Sequence, residues 1–343
     1  MSKLWSQSLR FLGNRRNSLW VAGLGMVSML ALSGCAAIQV KLGMKVYLAK
    51  IPVTSIEVRQ AKNPGIGPGQ KSSLIVEVTQ PDGKVLQTEG AGKGKVMWQD
   101  LVVTPMIVTV NKKGVLTLAK DPRKSEGKLP TVTITAPSHP DLHAQLGIPL
   151  RYDYKFVSDF SGAHGSDGMD GLSGQDGMSG SAGSSDPNNP SAGGNGSDGS
   201  DGGNGSDGGP GGNAPPVQVQ VTLRPGNHPL LQAGVFAAGH KRYYLVDPQG
   251  GSLTVRADGG SGGSGGKGGR GGSGGAGGSG SPPGMSGHDG SNGHDGSDGS
   301  PGRGGLIAVT YDPQVKPYLG NLIFSSWNGP KPILQEAPVA PLW

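Results

Sequence analysis

Glycine recurs at every third position in two long blocks of this chain, and this period restricts the conformations open to them. The glycines lie at 162, 165, 168, 171, 174, 177, 180 and 183, at 193, 196, 199, 202, 205, 208 and 211, at 259, 262, 265, 268, 271, 274, 277 and 280, and at 284, 287, 290, 293, 296, 299, 302 and 305. A period of three matches the left-handed polyproline II helix, which rises about 3.1 Å per residue and has no internal hydrogen bonds. A glycine at every turn leaves one edge without side chains, so that another backbone can approach it.

Each block divides into two arms of similar length. The period breaks at 184–192 in the first block and at Ser281-Pro282-Pro283 in the second, where the phase shifts by one residue. We number the arms 1 to 4, at residues 162–183, 193–213, 259–280 and 284–305. Proline in both interruptions favours a turn, so each block is predicted to form a hairpin of two extended arms.

Three interpretations of the arms remain open. The repeats are collagen-like, but collagen contains about 15–20% proline or hydroxyproline, and the arms hold only Pro210 and Pro301. A flexible Gly/Ser linker does not need to keep a triplet register. The pattern also resembles the polyglycine II bundles of certain antifreeze proteins and phage adhesin tips, where neighbouring arms satisfy the backbone groups that one arm leaves free. We favour this intramolecular, monomeric bundle over a disordered linker or a collagen-like trimeric stalk.

The bundle interpretation makes two finer predictions. Arm 3 is almost entirely Gly-Gly-X and is expected to be the most enclosed, whereas arm 1 has one glycine per triplet and is expected to be outer. Folding arm 3 onto arm 4 about the 281–283 turn is expected to place Lys267 near Asp298 and Arg270 near Asp295. Exposed ion pairs contribute about 0–1 kcal/mol each, so these pairs would set register more than stability.

The amino-terminal region has the pattern of an export signal. The basic residues Lys3, Arg10, Arg15 and Arg16 precede an apolar run at 19–32, which is a positive n-region followed by an h-region. The run is shorter than the roughly 20 residues that a membrane span needs, and it ends in Leu32-Ser33-Gly34-Cys35. This tetrapeptide resembles the bacterial lipobox. The resemblance implies cleavage before Cys35, acylation of its thiol with palmitate-type chains, and anchoring in a bilayer, which several acyl chains make stable.

Composition excludes some partners and suggests a location. The net charge is +6, but the four basic leader residues account for most of it and leave the mature chain near +2, so we expect no nucleic-acid partner. Cys35 is the only cysteine, which rules out an intrachain disulfide. Ala36 follows it, and by resemblance to Gram-negative lipoproteins without Asp at this position, sorting to the outer membrane is expected, with the periplasmic or surface face left open.

Residues 51–160 are predicted to form a small β domain. Short alternating runs are bounded by turn signals, and the predicted strands are 53–60, 73–79, 94–100, 106–110, 114–119, 131–135 and 149–156. About seven short strands in this length resemble bacterial immunoglobulin-like surface modules. Trp98 is expected in the core, and the Pro-rich setting of His139 and His143 argues against a helical metal site.

The remaining segments complete a mainly β architecture: an N-terminal Ig-like sandwich and a second small β unit carrying two glycine-rich hairpins of extended polyproline or polyglycine II helices. Strands are predicted at 217–223, 241–246, 251–256, 306–311 and 322–324. The predicted organisation is a signal peptide at 1–34, a lipid anchor and tether at 35–50, the Ig-like domain at 51–160, hairpins at 161–213 and 259–305, a β segment at 214–258, and β strands with a Pro-rich tail at 306–343.

Metal and cofactor sites are not predicted. The segment Gly193–Asp198 matches the start of a calcium β-roll repeat, but the large apolar position falls on Ser200, so such a roll would lack a core. His288 and His294 are about 19 Å apart in an extended threefold helix, too far to share an ion.

The sequence favours a non-enzymatic role. It has no Gly-Lys-Ser/Thr phosphate loop, HExxH or nucleophile-elbow motif. The first hypothesis is a structural or adhesive envelope lipoprotein that presents a rigid glycine scaffold to an unknown protein or glycan. The alternative is a periplasmic module of an envelope complex, with the glycine arms as spacers. A third hypothesis, a cation-dependent fold, would use the acidic arms 1 and 2.

Overall fold

The computed structural model describes residues 39–224, 226 and 228–343, and the described chain is mainly β, as the alternating patterns predict. Two compact units are present: residues up to 120 together with 124–150, and residues 121–123 together with 151–343. The strands are β1 (Ser55–Gln60), β2 (Lys71–Thr79), β3 (Val85–Gln87), β4 (Val102–Met106), β5 (Val108–Val110), β6 (Val115–Leu118), β7 (Thr131–Ala136), β8 (His139–Gly147), β9 (Lys155–Asp159), β10 (Val217–Arg224), β11 (Leu230–Ala237), β12 (His240–Val246), β13 (Ser252–Arg256), β14 (Ile307–Tyr311), β15 (Leu322–Ser325) and β16 (Ile333–Glu336).

The first unit contains two antiparallel sheets. One has the order β1-β2-β6-β5, with β3 also paired to β2, and the other has the order β4-β7-β8. Strand β7 shows how the sequence builds them, because Val132, Ile134 and Ala136 alternate with threonines and are fully buried, as a half-buried strand requires. Trp98 is 6% exposed in the same core, which agrees with its predicted place.

Several predicted boundaries in this unit are wrong. Residues 98–100 form a 3-10 turn instead of part of a strand, because the Trp98 indole packs inward and its Nε1 donates to the Glu89 carbonyl. The predicted strand at 149–156 is replaced by β9, which belongs to the second unit, so the first unit ends at 150 and not 160. The segment predicted as tether at 35–50 includes Leu48, which is fully buried. The immunoglobulin-like assignment itself stays a prediction.

The second unit contains two sheets that share one hydrophobic core. One has the order β12-β11-β10-β14-β16 and the other has the order β15-β13-β9. Phe156 and Leu253 of the smaller sheet join Val219, Val235 and Val309 of the larger sheet in the same buried cluster. The two faces therefore pack as layers, which is the usual way for sheets to bury one apolar side each.

The parallel strand pairs of this unit position the glycine arms. Strands β9 and β13 are parallel neighbours, and arms 1 and 3 leave from their carboxyl ends. Strands β10 and β14 are parallel neighbours in the other sheet, and arms 2 and 4 enter at their amino ends. The two sheets of the second unit therefore fix the positions at which the four arms begin and end.

The carboxyl-terminal tail packs on the second unit. Strand β16 pairs with β14 in parallel, the amide of Leu342 donates to the Gln232 side chain, and the Trp343 ring meets Tyr243 edge to face at 5.5 Å. Strands β16 and β11 were not predicted, because prolines flank β16 and Gly234 interrupts β11.

Candidate functional site: the glycine bundle

The four arms lie side by side and hydrogen-bond one another. Arms 1 and 3 are parallel, arms 2 and 4 are parallel, and the pairs 1–2, 2–3 and 3–4 are antiparallel. Each kind of bond repeats every three residues along an arm, so each arm has three residues per turn, the period of a polyproline II helix. Arms 2 and 3 have three neighbours each and are the inner pair, whereas arms 1 and 4 have two.

The parallel ladders continue the register of the strands. Asp159 of β9 pairs with Arg256 of β13, which lies 97 positions later in the chain. In the arms, the Asp167 side chain accepts a hydrogen bond from the Ser264 amide, which also lies 97 positions later. Val217 of β10 pairs with Ile307 of β14, and the separation of 90 recurs throughout arms 2 and 4. The sandwich therefore sets which triplets face each other.

The antiparallel ladders use the remaining backbone groups. At the middle of the bundle, the Gly203 amide donates to the Leu172 carbonyl, Gly269 donates to Gly203, and Gly293 donates to Gly269, at 2.7–2.8 Å. Equivalent bonds recur at every triplet above and below this level. Arms that form no internal hydrogen bonds are thus joined into one network, which satisfies the requirement that enclosed backbone groups be paired.

Glycine is required where one arm faces the backbone of the next. A Cβ atom on Gly269 would lie 2.0 Å from the Leu172 carbonyl oxygen, and one on Gly205 would lie 2.1 Å from the Gly266 carbonyl oxygen. Both rows of arm 3 glycines face such contacts, and the row that includes Gly269 is buried. This agrees with the expectation that arm 3 is enclosed and arm 1 outer.

The rule that an inner arm needs two glycine rows fails for arm 2. This arm has three neighbours, but only four of its seven triplets have glycine at the second position as well as the first. Serine occupies the second position of the other three triplets. The Ser197 amide donates to the Met178 carbonyl, and the Ser197 Oγ accepts from the Met178 amide at 2.8 Å. A small hydroxyl side chain therefore fits there because it gives the facing amide an acceptor.

Aspartate and asparagine at the third position of the triplets form a second set of ladders. Their Oδ1 atoms accept hydrogen bonds from backbone amides of the adjacent arm, at 2.6–2.9 Å. The bonds are Asp167–Ser264, Asp170–Lys267, Asp176–Ser273, Asn195–Met285, Asp198–His288, Asp201–Ser291, Asn204–His294, Asp207–Ser297, Asn213–Arg303, Asp289–Gly274, Asn292–Gly271, Asp295–Gly268 and Asp298–Gly265. The acidic residues of the arms are therefore structural acceptors for amides that the backbone ladders leave free.

The predicted side-chain pairs between arms 3 and 4 take a different form. Arms 3 and 4 are antiparallel neighbours, but Asp298 accepts from the Gly265 amide and not from Lys267. Asp295 accepts from the Gly268 amide and not from Arg270. Each carboxylate is therefore bonded to the backbone amide two residues before the basic residue that was expected to face it.

The ends of the arms meet at the two turns. The Gly193 amide donates to the Pro282 carbonyl, and the Ser281 amide donates to the Ser191 carbonyl, both at 2.9 Å. Within the longer turn, Asp186 Oδ1 accepts from the Asn188 amide, the Asx geometry that favours turns. The two interruptions of the glycine period therefore form one hydrogen-bonded end of the bundle.

The other candidate residues that the structure describes do not assemble into a site. Cys35 and the leader lie outside the described residues. His139 and His143 lie on β8, where four residues span about 13 Å, and His139 Nε2 lies 3.2 Å from the Ile51 carbonyl. Within 39–224, 226 and 228–343, no group of three metal-binding side chains converges, and no helix has the length and apolarity to cross a bilayer.

A half-open cavity of about 490 Å³ in the first unit is lined by Trp98, Gln99, Leu101, Val103, Val110, Asn111 and Lys112. Perturbed titrating groups lie elsewhere, in the β part of the second unit. The pKa of Asp153 is lowered because its carboxylate accepts hydrogen bonds from the Arg151 guanidinium. The pKa of Lys316 is raised by Glu336, whose carboxylate lies 3.1 Å from its Nζ. These are surface ion pairs and not paired acids and bases facing a cavity.

Comparisons with protein-family models, curated proteins and solved structures find no match for this chain. The bundle and the two β units are therefore interpreted from their own geometry.

Proposed function

We propose that this chain is a non-enzymatic envelope lipoprotein, anchored in the outer membrane by acyl chains on Cys35. Its glycine bundle serves as a rigid scaffold with a structural or adhesive role. The observation that carries the proposal is the bundle itself. Its backbone groups, Asx side chains and arm 2 serines are used for internal bonding, while large second-position side chains of arm 1 such as Met169 and Leu172 are exposed. Such a body has little capacity for catalysis but presents a regular surface to a protein or glycan.

The end formed by the turns at 184–192 and 281–283 suits this role. It joins both hairpins, and it carries exposed Asp186, Asn188 and Asn189 beside prolines. A rigid support lowers the entropy that a binding loop loses on contact. We therefore assign partner contact to this end and to the outward rows of the arms.

Metabolic labelling with palmitate tests the anchor. The wild-type chain is expected to incorporate label and to fractionate with the outer membrane, and Cys35→Ala is expected to lose both. Ser33→Ala, which keeps a small residue in the lipobox, is the matched control and is expected to behave as wild type. An unlabelled wild-type chain would refute the anchoring.

Protease treatment of intact cells tests the face of the membrane. Cleavage of the chain in intact cells supports surface adhesion, whereas protection until the outer membrane is opened supports the alternative periplasmic module with the arms as spacers. Light scattering on the purified lipid-free chain gives the number of chains per particle. A stable trimer would refute the intramolecular scaffold in favour of the collagen-like stalk.

A further inference from the structure

Arm 1 carries a row of large apolar side chains that the bundle does not use. Met169, Leu172 and Met178 are 78%, 85% and 79% exposed. Their spacing is a multiple of three residues, so they lie on one edge of the arm and extend over about 28 Å. Gln175 lies between Leu172 and Met178 in the same row. Exposed apolar side chains grouped on one edge commonly mark an interaction site.

Internal packing does not explain the choice of these residues. The backbone carbonyls of the row accept hydrogen bonds from arm 2, including that of Leu172 from Gly203, and this needs no apolar side chain. Ser291 occupies the equivalent row of arm 4 at the same level of the bundle, where its carbonyl accepts from Gly202. Serine therefore meets the internal requirement, and burying a Met or Leu side chain against something else would gain about 1.5–3 kcal/mol.

We propose that this row is the contact between two copies of the chain, with their two arms 1 parallel and side by side. The period carries the choice of occupant. Side chains three residues apart in such an arm are about 9.3 Å apart, whereas successive same-face residues are about 5.4 Å apart on an α-helix and about 6.8 Å on a strand. A second copy of arm 1 has the same spacing between Met169 and Leu172, so the two rows match along their length, whereas a helix or a strand would not match.

The flanks of the row select the parallel orientation. On the arm 3 side lie Asp167, Asp170 and Asp176, and on the arm 2 side lie Ser197, Ser200 and Ser206. A twofold axis along the arms places the acidic flank of one copy opposite the serine flank of the other. An antiparallel pair would instead face acid to acid, and like charges held close together destabilise an association.

The contact area predicts a weak pair that depends on confinement. Three such side chains bury roughly 800–900 Å² over both copies, below the roughly 1,200 Å² of a stable interface. Copies held in one membrane share an orientation and a high local concentration, which strengthens a weak contact without new interactions. This part of the inference rests on the proposed anchoring through Cys35.

Cysteine cross-linking on the full chain in native membranes tests the pair. Cys35 is the one native cysteine, so a thiol introduced by Leu172→Cys is the single one available when Cys35 is acylated. Mild oxidation is expected to give a reducible dimer with Leu172→Cys, and at least fivefold less with the matched control Ser291→Cys. Adding Met169→Ser and Met178→Ser to Leu172→Cys is expected to lower the dimer yield several-fold.

Three results would overturn the proposal. One is equal cross-linking of Leu172→Cys and Ser291→Cys, and another is absence of a Leu172→Cys dimer in membranes where the chain carries palmitate. The third is flotation of the lipid-free Cys35→Ala chain with neutral lipid vesicles that Leu172→Ser abolishes, because a bilayer would then be the occupant. Palmitate labelling is read in the same samples, so loss of the anchor is distinguished from loss of the contact.

Discussion

Replacing one inner glycine by alanine should disrupt the bundle at a defined level. Gly269 lies on the buried row of arm 3, and an added Cβ would lie 2.0 Å from the oxygen and 2.5 Å from the carbon of the Leu172 carbonyl. Both are backbone atoms, so no side chain can rotate away. To reach an ordinary contact distance, arms 1 and 3 must separate by roughly 1–1.5 Å.

That separation determines the size of the effect. The bonds Gly203–Leu172, Gly171–Lys267 and Gly269–Gly203 are 2.7–2.8 Å long, and an added ångström or more takes them beyond hydrogen-bonding distance. Each bond contributes about 1 kcal/mol net. Alanine recovers about 0.4–1 kcal/mol by restricting the unfolded chain. We expect Gly269→Ala to lower the free energy of unfolding by about 2–3 kcal/mol, or roughly 5–10 °C in Tm for a unit of this size.

Circular dichroism of thermal unfolding measures the loss, and amide exchange at Gly203 and Gly171 localises it. Arg270→Ala is the matched control, because Arg270 is the exposed neighbour in the same triplet row and surface substitutions stay within about 0.5 kcal/mol. Equal unfolding temperatures for Gly269→Ala and Arg270→Ala, with unprotected amides in both, would refute the packing of arm 3 between arms 1 and 2.

Two further pairs of substitutions test the hydrogen-bond roles of individual rows. Ser173→Pro is expected to stabilise the chain by about 0.4–1 kcal/mol, because the Ser173 amide has no partner among the described arms. Gln175→Pro is expected to destabilise it by about 1 kcal/mol or more, because the Gln175 amide donates to a serine hydroxyl of arm 2. Chemical denaturation measures both stabilities, and a Gln175→Pro chain more stable than Ser173→Pro would contradict the row assignment. Asp298→Ala is expected to accelerate amide exchange at Gly265 and to lower the free energy of unfolding by about 0.5–1.5 kcal/mol. Asp298→Asn keeps the acceptor oxygen, so the Gly265 amide is expected to exchange nearly as in the wild type. Equal exchange rates in the two variants would contradict the hydrogen bond between Asp298 and the Gly265 amide.

The glycine period predicted the arms and their bounds because a threefold backbone contact admits only glycine at a fixed spacing. It did not predict the register. The expected pairing of Lys267 with Asp298 assumed a symmetrical turn and side-chain partners, whereas the observed register follows the parallel strands β9 with β13 and β10 with β14. Strand pairing over such sequence separations is a tertiary property that no local pattern encodes.

In the β units, too, some elements were predicted from the sequence and others were not. Alternation predicted β7 and β14, where every second residue is buried. Strand β8 was missed because its side chains are half-buried or exposed and Pro140 reads as a breaker, although proline is tolerated on an edge strand. The apolar row of arm 1 is visible in the sequence, but its exposure depends on which neighbours each arm has.

The distribution of proline distinguishes this bundle from a collagen helix on physical grounds. On arms 1, 2 and 4 the first-position amides donate to a neighbouring carbonyl, whereas on arm 3 those facing arm 4, such as Gly265 and Gly268, donate to Asx side chains. Second-position amides donate to a carbonyl, or to a serine or Asx side chain where the facing residue has one. On arms 1, 2 and 4 the third-position amides make no bond within the described bundle, and Pro210 and Pro301 both occupy that position. Proline removes a donor, so it is excluded wherever the amide is used. Low proline content and third-position Asx residues are therefore two consequences of one hydrogen-bond pattern, and together they predict lateral pairing of glycine arms within one chain.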